Sequence, residues 1–186
     1  MSPEKYAGEA SAIQLMGFDA YKMRPAAGPE GDIKTLALMR QATGPNMRLM
    51  VDAHTWWRMG NKNYSSELVS ELARSMSAFN PYWLEEPLPP ENHQAYKKLK
   101  QQGIVPIATG EHEQDFEGFE DLALHQAADF LQMDVCCQGG FEMGLRIFDL
   151  AAVHKMKFAF HSWGTMLEVL AAAQLGVCRD ESVVEW

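Results

Sequence analysis

The sequence predicts an α/β protein, a (β/α) barrel of the TIM type that is incomplete. Short apolar strands alternate with amphipathic helices along all 186 residues, a pattern typical of parallel βα units. Polar residues end nearly every predicted strand, whereas an open, doubly wound sheet concentrates them at one switch point. Only seven strands are predicted, whereas a complete barrel has eight in about 250 residues.

The predicted strands are short apolar runs bounded by polar or turn-forming residues. They fall at 18–23, 47–51, 82–84, 105–109, 130–135, 158–161 and 182–186. No strand precedes the first helix, so we expect the first strand of the barrel to be missing. The result would be an opening between the strands at 18–23 and 182–186. The backbone groups on these two unpaired strand edges would need water, a partner chain or a rearranged helix as hydrogen-bond partners.

The predicted helices carry apolar residues at helical spacing and have recognisable ends. Segment 65–79 is the clearest, with apolar residues at 68, 69, 72, 76 and 79 and Ser65 as an N-cap. Gly17 and Gly103 end two others. The set is 5–16, 32–41, 65–79, 92–102, 116–126, 141–154 and 166–175. No linker interrupts them, so we expect one domain over 1–186.

Composition limits the partners. The net charge of −9 argues against nucleic acid or an anionic membrane surface. No apolar run approaches the roughly 20 residues of a membrane span, and the amino terminus lacks signal-peptide features. Three cysteines, two of them adjacent, do not form a disulfide framework. We therefore expect a cytoplasmic protein.

Three carboxylates, Asp52, Glu85 and Glu111, each end a predicted strand, and about one βα unit separates each from the next. The carboxyl ends of parallel barrel strands converge on one mouth. Hard oxygen ligands suit Mg²⁺ better than zinc. The alternatives are a solvated Glu85–Glu86 pair and helix caps at Asp52 and Glu111.

Cations and histidines also fall near strand ends. Lys22 and Arg24 are two residues apart and share one face of their strand, where they would bind a substrate carboxylate; the alternative is a pair of surface cations. His54 lies two residues beyond the first carboxylate, on the same side.

Asp134 and His161 are one βα unit apart. A carboxylate that holds an imidazole fixes its tautomer and raises its basicity, which is a general-base arrangement. A core histidine with no catalytic role is the alternative.

Taken in order, these strand-end motifs resemble the mandelate racemase subgroup of the enolase superfamily over nearly the whole chain. The motifs are Lys22-Met23-Arg24, Val51-Asp52-Ala53-His54, Trp83-Leu84-Glu85-Glu86-Pro87, Gly110-Glu111-His112, Gln132-Met133-Asp134-Val135, His161-Ser162-Trp163-Gly164 and Val184-Glu185-Trp186. No single motif is specific, but seven in the correct order are.

The resemblance implies a ligand set and residue roles. It implies Mg²⁺ as cofactor on Asp52, Glu85 and Glu111, and Asp134–His161 as the base. Lys22 would neutralise a substrate carboxylate, beside which Glu185 would act as a hydrogen-bonding acid. His54, His112 and Trp163 would contact the substrate.

Arg24 departs from the family pattern, because many members carry a second, basic lysine there. A guanidinium stays protonated and cannot abstract a proton, so His161 is the one competent base. The resemblance is closest in kind to acid-sugar dehydratases such as rhamnonate dehydratase. It then implies dehydration of a sugar acid to a 2-keto-3-deoxy acid through an ene-diolate. The alternatives are an epimerase, racemase or cycloisomerase in which Arg24 clamps the substrate, or a catalytically silent truncated barrel.

Substrate specificity in the family depends largely on an amino-terminal capping domain, and we expect none within residues 1–186. We therefore expect residues 1–186 to be a truncated catalytic barrel domain that alone turns over no acid sugar at a useful rate. The expected ligand is a small sugar acid. Exposed strand edges predict a homo-oligomer.

Overall fold

A computed structural model describes residues 1–24, 27–55, 64–178 and 183–185. In these residues seven helices alternate with seven strands. The backbone contacts divide the chain into two compact units. The first unit comprises Met1–Pro89 with Gln102–Pro106, and the second comprises Pro90–Gln101 with Ile107–Trp186.

The first unit is a parallel three-stranded sheet with helices in the connections. Its elements are α1 (Pro3–Leu15), β1 (Ala20–Met23), α2 (Pro29–Thr43), β2 (Arg48–Asp52), α3 (Ser66–Ser77) and β3 (Trp83–Glu85). Strand β2 pairs with β1 on one side and β3 on the other, and its register sets Asp52 beside Glu85. Two predicted polar residues therefore end adjacent strands at the same level.

The second unit contains a parallel four-stranded sheet. Its elements are α4 (His93–Lys100), β4 (Ile107–Thr109), α5 (Phe116–Leu124), β5 (Phe130–Met133), α6 (Gly140–Val153), β6 (Lys157–Phe160), α7 (Met166–Gly176) and β7 (Val183–Val184). The strands pair in chain order. Strand β5 thus has β4 and β6 as neighbours, which brings the ends of these three strands to one edge of the sheet.

Apolar residues at helical spacing bury one face of each amphipathic helix. In α3 the buried apolar side chains are Val69, Leu72, Ala73 and Met76, close to the predicted pattern. Its predicted cap is present, since the Ser65 hydroxyl accepts a hydrogen bond from the Leu68 amide at 3.2 Å. In the second unit Phe148 of α6 stacks on Phe158 of β6 with 4.0 Å between ring centroids.

The structure confirms the predicted fold class, an incomplete (β/α) barrel with seven parallel strands among the described residues, while several bounds differ. Helix α2 begins at Pro29 rather than 32, because proline is tolerated in the first turn, where its missing N–H has no partner to lose. Strand β4 begins at Ile107 rather than 105, because Pro106 has no N–H for the ladder. The opening predicted between the first and last strands stays a prediction. Within the described ranges no helix is long and apolar enough to span a bilayer.

Candidate functional site

Glu85, at the end of β3, is held at both carboxylate oxygens inside the first unit. Its side chain is fully buried, and the Lys22 ammonium lies 2.6 Å from Oε1. The indole Nε1 of Trp83 donates to Oε2 at 2.7 Å, since residues two apart on a strand share a face. Glu86 is also buried, which excludes the solvated Glu–Glu pair.

Asp52, at the end of β2, is similarly surrounded. Its Oδ2 lies 3.6 Å from Nε of Arg24, and its Oδ1 contacts Nδ1 of His54. His54 has a left-handed backbone, φ 37°, at the point where the chain turns away from the strand. Arg24 therefore meets a carboxylate at the end of the neighbouring strand β2, whereas Lys22 reaches past β2 to the end of β3. The surface-cation alternative fails for Lys22, whose side chain is 15% exposed.

In the second unit the His161 ring lies between two carboxylates. Nδ1 is 3.4 Å from Oδ2 of Asp134, and Nε2 is 3.4 Å from Oε2 of Glu111. The first contact has ion-pair distance without hydrogen-bond geometry. The side chains of His161, Asp134 and Glu111 are all largely buried. Nδ1 thus faces the predicted orienting carboxylate, and Nε2 faces a predicted metal ligand.

A turn after β5 fixes Asp134. Its Oδ1 accepts hydrogen bonds from the Cys136 and Cys137 amides at 2.9 and 3.1 Å. Its own amide donates to the side-chain oxygen of Gln138 at 2.7 Å. Two backbone N–H groups of its own loop therefore orient the carboxylate that faces His161, and the hydrogen bond to Gln138 holds its backbone.

Gln138, which the sequence analysis missed, links this loop to the one after β4. Its buried amide nitrogen donates to the carbonyl oxygens of Gly110 and Glu113 at 2.8 and 2.6 Å. These two residues flank Glu111. The only sequence signal is a polar residue directly before Gly139-Gly140, and such a residue is ordinarily solvated.

Gly110 sets the position of Glu111 by close approach to β5. Its φ is 129°, and a Cβ at this position would lie 2.5 Å from the backbone oxygen of Gln132. Only glycine combines that conformation with that contact.

Three further predicted site residues of the second unit are His112, Glu185 and Trp163. Nε2 of His112 lies 3.2 Å from Oε1 of Glu111. The Glu185 carboxylate accepts a hydrogen bond from the Ser162 amide, next to His161, at 3.1 Å. Trp163 is 70% exposed. The structure thus brings Glu185 to the segment that follows β6, next to His161, and leaves the Trp163 side chain largely exposed.

A second histidine cluster was not predicted. His93 at the start of α4 has Nδ1 2.5 Å from Oδ2 of Asp121 and Nε2 3.0 Å from Oε1 of Glu113. Burial opposes the charged ring, but the two carboxylates outweigh it and raise the pKa of His93. Burial also raises the pKa of Glu113, whereas the hydrogen bond from His93 lowers the pKa of Asp121. Because one ring joins α4, α5 and the β4–α5 loop, the cluster has a structural role.

The donor chemistry of the first unit fits a hard divalent cation. Asp52 and Glu85 offer carboxylate oxygens at the same level of adjacent strands, and both are buried. Such oxygens suit Mg²⁺. In the second unit Glu111 has its own carboxylate oxygens beside the His161 ring.

Comparison with known proteins matches residues 5–185 to the family described as enolase C-terminal domain-like. The chain is 34% identical over 168 residues to the D-galactarolactone cycloisomerase of Agrobacterium fabrum, covering 90% of this chain and 43% of that protein. It is 38% identical over 130 residues to the L-talarate/galactarate dehydratase of Salmonella typhimurium, covering 70% of this chain and 31% of the relative.

A solved structure of a related protein has a similar fold. The mandelate racemase/muconate lactonizing enzyme from Jannaschia sp. CCS1 superposes with a TM-score of 0.88 at 27% identity, covering 98% of this chain and 48% of the other. The chain thus spans less than half the length of each of these proteins.

Proposed function

The chain belongs to the enolase C-terminal domain-like family, in the mandelate racemase subgroup, and from that premise we propose that it carries the catalytic residues for Mg²⁺-dependent dehydration of a sugar acid to a 2-keto-3-deoxy acid. The observation that carries the proposal is the His161 ring, placed between Asp134 and Glu111. The dehydratase and cycloisomerase relatives support acid-sugar chemistry.

We assign the metal to Asp52 and Glu85, two buried carboxylates at the same level of adjacent strands, and to Glu111 from the family resemblance. When bound, Mg²⁺ supplies positive charge that stabilises a substrate carboxylate as its α-carbon loses a proton. Lys22 and Arg24 add positive charge on the same side of their sheet. These groups favour an anionic substrate despite the acidic total charge.

The proton steps belong to His161. Its Nε2 takes the proton from the carbon next to the substrate carboxylate, while Asp134 orients the ring through Nδ1. The resulting imidazolium then donates that proton to the β-hydroxyl, which leaves as water. The enol that remains tautomerises to the 2-keto-3-deoxy acid. Arg24 cannot act as a second base, because its guanidinium stays protonated.

Cycloisomerisation is the second candidate, supported by the 34% identical cycloisomerase. It shares the first proton abstraction, but the leaving oxygen remains attached to the product through the opened ring. A dehydratase product is therefore lighter by one water, and a cycloisomerase product has the mass of its substrate. Mass spectrometry of the product separates the two reactions.

The test is α-proton exchange in D₂O with equimolar protein and a panel of acid sugars, followed by NMR. We expect exchange that requires Mg²⁺ and is abolished in His161→Asn. His154→Asn is the control and should exchange like the parent chain. Exchange that persists in His161→Asn would show that another residue is the base. Mg²⁺ binding without any exchange would favour a catalytically silent barrel.

The metal assignment has its own test. We expect Asp52→Asn and Glu111→Gln each to weaken Mg²⁺ binding at least tenfold in calorimetric titration, with circular dichroism unchanged. Glu30→Gln, a carboxylate in the first turn of α2, is the matched control. Unchanged Mg²⁺ affinity in both site variants would refute the assignment.

A further inference from the structure

The loop between β5 and α6 contains two adjacent thiols that the proposed reaction does not use. Cys136 and Cys137 are both exposed and lie directly beyond Asp134. A carboxylate oxygen of Asp134, the Cys137 sulfur and a carboxylate oxygen of Glu168 all lie within 4.8 Å of one another. All three residues belong to the second unit.

We propose that Asp134, Cys137 and Glu168 form a binding site for Zn²⁺, separate from the Mg²⁺ ligands. Zinc binds thiolate and carboxylate ligands tetrahedrally, with donor atoms roughly 3.5 Å apart. Mg²⁺ does not compete, because it prefers oxygen ligands and octahedral geometry.

Glu168 provides an independent observation. It lies in the first turn of α7, yet its side chain folds over Gly164, where a Cβ would come within 2.4 Å of Oε2. That oxygen is buried and has no hydrogen-bond partner among the described residues. A buried carboxylate oxygen without a partner is costly unless a cation or proton neutralises it.

The electrostatics of the loop between β5 and α6 also favour a bound cation. Burial and then the negative charge of Asp134 raise the pKa of both thiols, and Glu168 adds to the effect. The thiols therefore lie in a negative field that a divalent cation relieves. Zinc at this site engages Asp134, the carboxylate that faces His161. If the proposed function holds, zinc therefore withdraws the orienting partner of the base and inhibits the enzyme.

Co²⁺ is a spectroscopic probe for this site, because a thiolate bound to Co²⁺ gives charge-transfer absorption in the near ultraviolet. We expect one equivalent of Co²⁺ to produce this absorption in the parent chain with saturating Mg²⁺ present, and Zn²⁺ to displace it. The absorption should disappear in Cys137→Ser and in Cys137→Ala. It should remain in Cys178→Ser, which changes the third cysteine of the chain. Glu168→Gln should weaken Zn²⁺ at least tenfold in competition with a chromophoric chelator.

Three results would overturn the proposal: no absorption in the parent chain, absorption retained in both Cys137 variants, or absorption lost in Cys178→Ser. Zinc affinity unchanged by Glu168→Gln would equally refute the ligand set. Two different Cys137 replacements, each checked by circular dichroism, separate loss of the ligand from loss of the fold. No turnover is measured, so failure of the dehydratase proposal would leave this result intact.

Discussion

The close approach of Gly110 to the β5 backbone makes a quantitative prediction about stability. In Gly110→Ala the new Cβ would lie 2.5 Å from the Gln132 carbonyl oxygen and 3.0 Å from the Phe119 ring, at a φ of 129°. The backbone conformation costs a non-glycine residue about 1–3 kcal/mol, and overpacking against a rigid strand costs a similar amount, about 1–3 kcal/mol. We therefore expect a loss of about 4 kcal/mol in the free energy of unfolding.

Gly103→Ala is the matched control. Gly103 also has a positive φ, 62°, but a Cβ there meets no atom within 4 Å. Only the left-handed conformation is penalised, at about 1–2 kcal/mol. The difference between the variants therefore contains the close contact, together with any extra backbone cost of φ 129° over φ 62°.

The assay is urea unfolding followed by tryptophan fluorescence, with thermal unfolding as a second measure. For a chain of this size, each kcal/mol lowers Tm by about 2–4 °C. Gly110→Ala should therefore lower Tm by about 8–16 °C and Gly103→Ala by about 2–8 °C. Equal losses in the two variants, within about 1 kcal/mol, would show that the packing of the β4 end on β5 does not constrain the loop that bears Glu111.

Two further outcomes follow from buried charges. Lys22→Met should cost about 3–5 kcal/mol in urea unfolding, because it removes the Lys22 cation from the buried Glu85 carboxylate. Adding Glu85→Gln should restore most of that loss, and additive losses would contradict the coupling. His93 has a raised pKa in the folded chain, so its contribution is complete below about pH 6.5 and is lost as the pH rises through the raised value. The free energy of unfolding should therefore fall above about pH 6.5, and His93→Gln should flatten that decline; an identical pH profile for both chains would argue against a charged ring.

The strand-end residues could be predicted because two simple regularities determine them. Residues two apart on a strand share a face, which placed Lys22 and Arg24 together. Parallel neighbours end at one edge of their sheet, which placed Asp134 near His161. Both regularities act locally, so they are visible in the sequence without knowledge of the loops.

The loop interactions could not be predicted in this way. The Gln138 amide reaches three backbone groups only because the turn after β5 takes one particular conformation. The His93 cluster depends on how α4 packs against α5, which no spacing in the sequence specifies. The roles assigned to Asp52, Glu85 and Glu111 in binding metal rest on their residue types and order, and stay predictions.

The side chain of Gln138 has a consequence for engineering. Because it holds the loop after β4 and the loop after β5 through one amide group, neither loop can be exchanged by itself. Transplanting the segment after β5 from a relative would remove the amide that supports Gly110 and Glu113, and with them the position of Glu111. Chimeras intended to change substrate choice should therefore graft residues 110–113 and 134–140 from one donor as a single cassette.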